Sequence, residues 1–212
     1  MMRSCFYGAL CLALLLAAPA FARPVSYAGG WMFMTANDPW TNSVSLVYSP
    51  TAKIGVGAFA DYYHGKHFGT LAGLQVNGLL NRWNNQDSQA NLYLLSGFGI
   101  ANHDSDARAG GYIGMEADWE DRRWYTSYEA RYTDAGRDVK QEFQHKARIG
   151  IAPYIAESGR LHTWLILQAD HMPENDDPWT VTPTLRLFKD QYWVEAGVSN
   201  RGNPLFNVMI TF

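Results

Sequence analysis

Apolar and polar residues alternate along most of this chain in segments of about ten residues, and no window shows a sustained helical period. Alternation with a period of two places successive side chains on opposite faces of a β-strand. Turn-forming residues separate the segments, and each segment is near the length of a tilted strand that crosses a bilayer. The pattern predicts twelve strands, at 26–35, 41–49, 53–64, 68–82, 89–100, 109–120, 122–134, 141–156, 161–172, 179–189, 191–200 and 204–212.

The aromatic residues indicate what the apolar face of these strands contacts. A sheet with one apolar face could be half of a soluble sandwich, which would concentrate its aromatic residues at mid-strand. Here they lie near the strand ends, as in the two girdles of a membrane-spanning barrel, where the rings sit at the level of the lipid headgroups. The two predicted girdles are Trp83, Trp119, Trp124, Phe188 and Tyr192 at one end, and Trp40, Tyr62, Tyr132, Phe143 and Trp179 at the other.

These patterns predict an all-β fold, a transmembrane antiparallel up-and-down β-barrel of twelve strands, with ten or fourteen as the alternatives. Unpaired strand edges cost several kcal/mol per backbone group in lipid, so the last strand must pair with the first. An even strand number places both chain ends on the periplasmic side. The predicted loops are short, and the first predicted strand begins close to Arg23. We therefore expect no plug, either from an inward-folded loop or from the N-terminus.

Residues 1–22 have the features of a secretory signal peptide. Arg3 supplies a positive charge, residues 9–18 are apolar, and Ala20-Phe21-Ala22 matches a cleavage site. The apolar run is shorter than the roughly 20 residues that span a bilayer as a helix. We expect cleavage after Ala22, which leaves residues 23–212 as a single barrel domain. Both cysteines precede this site, so no disulfide, thiolate metal site or cysteine nucleophile is expected in the exported chain.

The end of the chain carries a more specific pattern. Phe206, Val208, Ile210 and Phe212 alternate with other residues up to the last position. This resembles the C-terminal assembly signal of bacterial outer-membrane proteins, over about the last seven residues. The resemblance implies recognition by the barrel-assembly machinery and a location in the bacterial outer membrane, in contact with lipid and lipopolysaccharide. A net charge of -3 gives no basic surface for nucleic acid, and the sequence carries no signal for an oligomeric state.

The predicted inward face is polar and carries both signs of charge. Eight-stranded barrels are filled by side chains and sixteen-stranded barrels hold a channel, so twelve strands leave two interpretations open. The interior is either a charged track along an aqueous lumen or a set of salt bridges that seals it. Porins for acidic oligosaccharides are similar in length and strand count, but the dominance of inward Arg and Lys that such sugars require is missing. The predicted lumen-lining residues are Asp61, Glu116, Asp118, Glu129, Arg131, Lys146, Arg148, Asp170, Arg186 and Glu195.

The sequence therefore favours a narrow passive channel for small polar solutes or ions, or a structural barrel, with no cofactor. One alternative is a metal-binding extracellular rim, because imidazole and carboxylate ligands suit zinc, copper or nickel. The other is a lipid-modifying hydrolase that uses serine and histidine. No motif of the known barrel phospholipase or lipid A deacylases is present, which argues against an enzyme. The candidate metal ligands are His64, His67, His103 and His171, and the candidate hydrolase residues are His103, Ser105, Ser127, Glu129 and His145.

Overall fold

The structure is a computed structural model that describes residues 23–64, 68–104, 106–157 and 159–212. The predicted signal peptide lies outside the described residues, as do His67 and Ser105. No helix among the described residues is long and apolar enough to cross a membrane.

Twelve antiparallel strands form one closed barrel, in which each strand pairs with its neighbours in the chain and the last strand pairs with the first. This confirms the predicted up-and-down fold and the predicted number of strands. The strands are β1 (Trp31–Asn37), β2 (Thr41–Thr51), β3 (Ile54–Tyr63), β4 (Gly69–Asn84), β5 (Ser88–His103), β6 (Asp106–Asp121), β7 (Trp124–Asp134), β8 (Gln141–Ile151), β9 (His162–His171), β10 (Trp179–Lys189), β11 (Tyr192–Val198) and β12 (Pro204–Thr211).

The barrel has two ends, which we name by the residues they carry. The proximal end carries Arg23, Phe212 and the turn at Asp121, and the distal end carries the turn at Asp104 and the loop of residues 135–140. The barrel closes where β12 meets β1, with Ile210 opposite Phe33 in register. Each of the twelve described strands is hydrogen-bonded to a strand on both sides, so these strands leave no open sheet edge in lipid.

Some strand ends differ from the prediction. The first strand begins at Trp31 instead of residue 26, because a turn precedes it: the Gly30 amide donates to the Tyr27 carbonyl at 3.0 Å, and Gly29 has a φ of +83°. The eighth strand ends at Ile151 instead of residue 156. The hairpin between β5 and β6 extends to His103 and Asp106, where a loop was predicted.

The outer surface of the barrel is apolar and the inner surface is polar. Leu74, Phe98 and Ile113 are 72%, 68% and 57% exposed on the outside, which is the reverse of a water-soluble fold and matches a barrel surrounded by lipid. Exposed aromatic side chains lie at both ends, as predicted. The assignment of Phe188 to a girdle was wrong: it is 8% exposed and packs inside against Met32 and Trp193, because it shares the inward parity of Arg186.

One part of the wall is built from glycine. A Cβ atom added to Gly73 would overlap the carbonyl oxygen of Phe98, and one added to Gly99 would overlap that of Ala72. Glycine is used where a barrel wall bends sharply, because any side chain would meet the neighbouring strand. Because such inward positions of β3–β6 carry no side chain, they leave space in the lumen that other segments of the chain occupy.

Candidate functional site in the barrel lumen

The structure places all ten predicted lumen-lining residues on the inner side of the barrel. Five of them are less than 10% exposed: Asp61, Asp118, Asp170, Arg186 and Glu195. The other five are half-buried: Glu116, Glu129, Arg131, Lys146 and Arg148. Most of these side chains come from β6–β11, so that side of the lumen is rich in charge.

A first network of polar contacts surrounds Asp61 on β3. Arg131 donates from Nη2 to Asp61 Oδ2 at 3.0 Å, and the Tyr63 hydroxyl donates to the same oxygen at 3.1 Å. The guanidinium of Arg131 lies over the ring of Tyr112, 3.6 Å from its centroid. The Tyr112 hydroxyl donates to Gln75 Oε1 at 2.8 Å. The Arg131 side chain thereby joins β7 to β3, four strands away, and narrows the lumen.

Glycine makes this arrangement possible. A Cβ atom at Gly97 would overlap the ring of Tyr112 and come within 2.8 Å of the ring of Phe59. The two rings meet edge to face with centroids 5.1 Å apart. The ring of Tyr112 can therefore lie against β5 and make a cation–π contact with the guanidinium of Arg131.

A second network is centred on Glu195 of β11. Arg186 donates from Nε to Glu195 Oε1 at 2.7 Å, and Asn207 donates to Oε2 at 3.0 Å. Arg148 of β8 reaches the same carboxylate at 3.6 Å. The guanidinium of Arg186 also lies over the ring of Tyr125, 4.5 Å from the centroid. The side chains of Arg186 and Glu195 are each only 1% exposed. The pair is therefore removed from water and depends on neighbouring side chains for its polar contacts.

A cavity of about 200 Å³ lies between the two networks. On one side it is lined by Glu116, Glu129 and Lys146, where Lys146 Nζ is 4.0 Å from Glu129 Oε2. The opposite side is formed by β1 and β2, which contribute uncharged residues such as Met34 and Ser45. The cavity therefore has one charged wall with both signs of charge and one neutral wall. Such a surface suits small polar solutes more than ions of a single sign.

The loop of residues 135–140, which we call the inward loop, folds into the distal part of the lumen. Val139 is 4% exposed and packs against Tyr63 and Leu71 on the opposite wall. An added Cβ at Gly69 would lie 2.9 Å from Val139, so the thin glycine wall provides the space. This corrects the expectation that no loop folds inward. The loop is short, but Gly136, at a φ of +90°, turns its apolar residues toward the lumen.

The first described residues, 23–30, enter the lumen from the proximal end, and we call them the N-terminal segment. Val25 is 3% exposed and packs against Leu79, Tyr93 and Leu95. This corrects the expectation of no N-terminal plug. The Gly29-Gly30 pair indicates a turn before the first strand. The alternating pattern by itself does not reveal this turn, so it predicts a strand that begins too early.

Arg23 lies where two cavities meet. Its Nη2 donates to Glu120 Oε1 at 2.8 Å, and the side chain lines both the lumen cavity and a second cavity of about 470 Å³ at the proximal end. We call this second cavity the vestibule. Trp164, Tyr154 and Phe188 contribute to its wall. Neither Arg23 nor Val25 was predicted as a site residue, because nothing in the strand pattern indicates that this segment turns inward.

The three predicted metal ligands that the structure describes, His64, His103 and His171, do not come together. His64 follows β3, and its ring meets that of Tyr62 edge to face, with the two ring centroids 4.8 Å apart. His103 at the end of β5 lies with Nδ1 2.7 Å from the Phe68 carbonyl oxygen. His171 is on β9, on another side of the barrel. Its ring packs against that of Trp179, with the two ring centroids 4.3 Å apart. Within the described ranges no three His, Cys, Asp or Glu side chains form a group that could hold a metal ion.

Ser105 lies outside the described residues, and Ser127 and His145 lie on opposite faces of the barrel wall. Ser127 and Glu129 line the lumen cavity. His145 is on the outer face, with Nδ1 2.9 Å from the Tyr128 hydroxyl and its ring 5.8 Å from that of His171. The wall of the barrel thus stands between Ser127 and His145, and the two cannot act as a nucleophile and its base.

Comparison with known proteins bears on the fold. No family model matches the chain, and no curated protein matches its sequence. Among solved structures, "KdgM porin in complex with disordered oligogalacturonate" superposes with a TM-score of 0.50, over 86% of this chain and 98% of that chain, at 7% identity. The chain shares its fold with a KdgM porin. A second structure of "KdgM porin" superposes with a TM-score of 0.49 over the same shares of the two chains, at 9% identity.

This likeness concerns the path of the backbone. It confirms the predicted class, a small membrane barrel of twelve strands, while the inward residues of this chain have to be judged by themselves. Their mixture of carboxylates and cations, joined in pairs, defines the site described above.

Proposed function

We propose that this protein is a narrow passive channel of the bacterial outer membrane for small polar solutes or ions. The observation that carries the proposal is the cavity of about 200 Å³ in the middle of a closed barrel, with Glu116, Glu129, Lys146 and Arg148 in its wall. A barrel with a purely structural role has no need of charged groups around a hollow interior. Charged groups there keep the cavity wet and replace part of the hydration of a passing solute.

The size of the cavity limits the solute. Sites that enclose drug-sized ligands measure about 300–1,000 Å³, and the lumen cavity is smaller than these. It accommodates one molecule of the size of an amino acid or a monosaccharide. The oligogalacturonate of the KdgM porin complex is a polyanion, and the described residues of this lumen pair charges of both signs and form no continuous cationic track for such a chain.

The outer membrane is the location that several features support together. The barrel has an apolar exterior, residues 1–22 have the pattern of a signal peptide, and the chain ends on the alternating residues Phe206 to Phe212. In this location the proximal end faces the periplasm, because both chain ends lie there. The outer surface then contacts lipid and lipopolysaccharide, and the C-terminal strand is presented to the barrel-assembly machinery.

Swelling of liposomes that contain the purified protein tests the proposal. We expect influx of glycine and arabinose well above that of protein-free liposomes, and influx of sucrose and raffinose near the background. Arg131→Ala, which removes the side chain that narrows the lumen, should raise the influx of sucrose. Asp177→Asn serves as the matched control, because this exposed carboxylate pairs with Arg201 at the distal rim.

Two outcomes contradict the proposal. Swelling no faster than in protein-free liposomes for every solute would favour a structural barrel. Equal rates for glycine and raffinose would show a pore much wider than the cavity described.

A further inference from the structure

The N-terminal segment divides the interior of the barrel into the lumen cavity and the vestibule. We propose that Arg23 and Glu120 form the proximal constriction of the channel and that this ion pair determines its ion selectivity. The inference rests on the proposed function and adds to it a location for the constriction and the residues that control it.

The segment is fixed inside the lumen by contacts along its length. Val25 inserts between Leu79, Tyr93 and Leu95, which are inward-facing residues of β4 and β5. Beside it, Asn77 donates from Nδ2 to the Pro24 carbonyl oxygen at 3.2 Å. The position of the segment is therefore part of the fold.

Ser49 of β2 holds the other half of the segment. The Ser26 amide donates to Ser49 Oγ at 2.9 Å, and the Gly29 amide donates to the Ser49 carbonyl at 2.7 Å. The Ser49 amide in turn donates to the Gly30 carbonyl at 2.9 Å, and Ser49 is fully buried. The segment reverses direction at this point and continues into β1, so its first residues remain inside the barrel.

The ion pair lies where the two cavities adjoin. Arg23 extends from the segment to Glu120 on β6, and the side chains of the two residues are 12% and 7% exposed. Glu120 also lines the vestibule, and Pro24 lines the lumen cavity. A solute that moves from one cavity to the other must pass this pair, in a region where charges are screened less than at a surface.

The two side chains of the pair carry opposite charges, so the sign of the charge that remains can be chosen by substitution. When one partner is neutralised, the other charge is left at the junction of the two cavities and attracts ions of the opposite sign. Loss of Glu120 should favour anions, and loss of Arg23 should favour cations. A general disturbance of the fold would not shift the two variants in opposite directions.

The experiment measures reversal potentials of the purified protein in planar bilayers under a gradient of potassium chloride. We expect Glu120→Gln to shift the reversal potential toward that of chloride and Arg23→Gln to shift it toward that of potassium. The exchange Arg23→Glu with Glu120→Arg should restore a value near that of the wild type. Intact mass of each protein verifies where its chain begins, and Asp177→Asn is the control for loss of an ion pair outside both cavities.

A second variant removes the constriction without changing the pair directly. Val25→Asp places a charge among Leu79, Tyr93 and Leu95 and should expel the segment from the lumen. We expect a single-channel conductance at least twice that of the wild type, and no further shift toward chloride when Glu120→Gln is added. Heat-modifiable mobility on gels verifies that each barrel is folded.

The outcomes separate this inference from the proposed function. If the wild type conducts and all variants behave like Asp177→Asn, the constriction is disproved and the channel remains. A silent wild type with a conducting Val25→Asp variant supports the constriction, because the segment then closes the passage. Silence of the wild type and of every variant would overturn the channel and the constriction together.

Discussion

Glu195 illustrates how single residues of this barrel maintain charge in a closed interior. Its carboxylate receives hydrogen bonds from Arg186 and Asn207 and lies 3.6 Å from Arg148. Burial of an ion is costly, and the cost is offset only where nearly all of its hydrogen-bonding capacity is used. Both carboxylate oxygens of Glu195 accept a hydrogen bond, while the less buried Glu129 and Lys146 line the cavity.

Substitution of Glu195 by alanine should therefore destabilise the barrel strongly. It would leave Arg186 buried beside Tyr125 without its carboxylate, and removal of one partner from a buried pair costs about 3–5 kcal/mol. Unfolding by urea in lipid vesicles measures this loss of free energy. Asp177→Asn, which affects an exposed pair, should cost about 1 kcal/mol or less. Equal effects of the two substitutions would contradict the role given to burial.

At the scale of elements, the sequence predicts the strands well and the inward segments poorly. Alternation reports the face of each residue, so the ten lumen-lining positions could be assigned from it. The ion-pair partners of these residues could not be predicted from the sequence pattern. Arg131 reaches Asp61 from four strands away, and Arg148 reaches Glu195 from three strands away. The inward loop and the N-terminal segment depend on space that the glycine-rich wall leaves, which a local pattern does not reveal.

The inward loop offers a direct test at this scale. Val139→Asp places a charge against Tyr63 and Leu71, so the loop should leave the lumen and become accessible. We expect cleavage by trypsin after Arg137 to become at least tenfold faster in the folded protein. Asn203→Asp adds the same charge to an exposed loop at the same end and should leave the rate unchanged. An unchanged rate in Val139→Asp would contradict the packing described.

At the scale of the whole molecule, closure is the property on which the rest depends. The Phe212 amide donates to the Trp31 carbonyl at 2.9 Å, and the Trp31 amide donates to the Phe212 carbonyl at 2.6 Å. These bonds extend the pairing of β12 and β1 to the proximal end. The same terminal residues resemble an assembly signal, so one short segment contributes both to closure and to the proposed recognition.

Deletion of Phe212 separates these two contributions. The last closing bonds and an aromatic side chain at the membrane surface are lost, while β2–β11 are untouched. We expect much less folded protein in the outer membrane of the producing cells, measured by heat-modifiable mobility. Refolding of the same variant in detergent should remain efficient. Normal amounts in the membrane would show that Phe212 has no part in assembly.

The proposed function requires a wet, narrow passage that runs through the barrel between its two networks of charge. Single-channel recording of the wild-type protein in planar bilayers tests it most directly. We predict discrete conductance steps that are small for a porin and show weak preference between cations and anions, because the lumen carries charges of both signs. Steady silence over a wide range of voltages, from protein that is folded by heat-modifiable mobility, would contradict the claim.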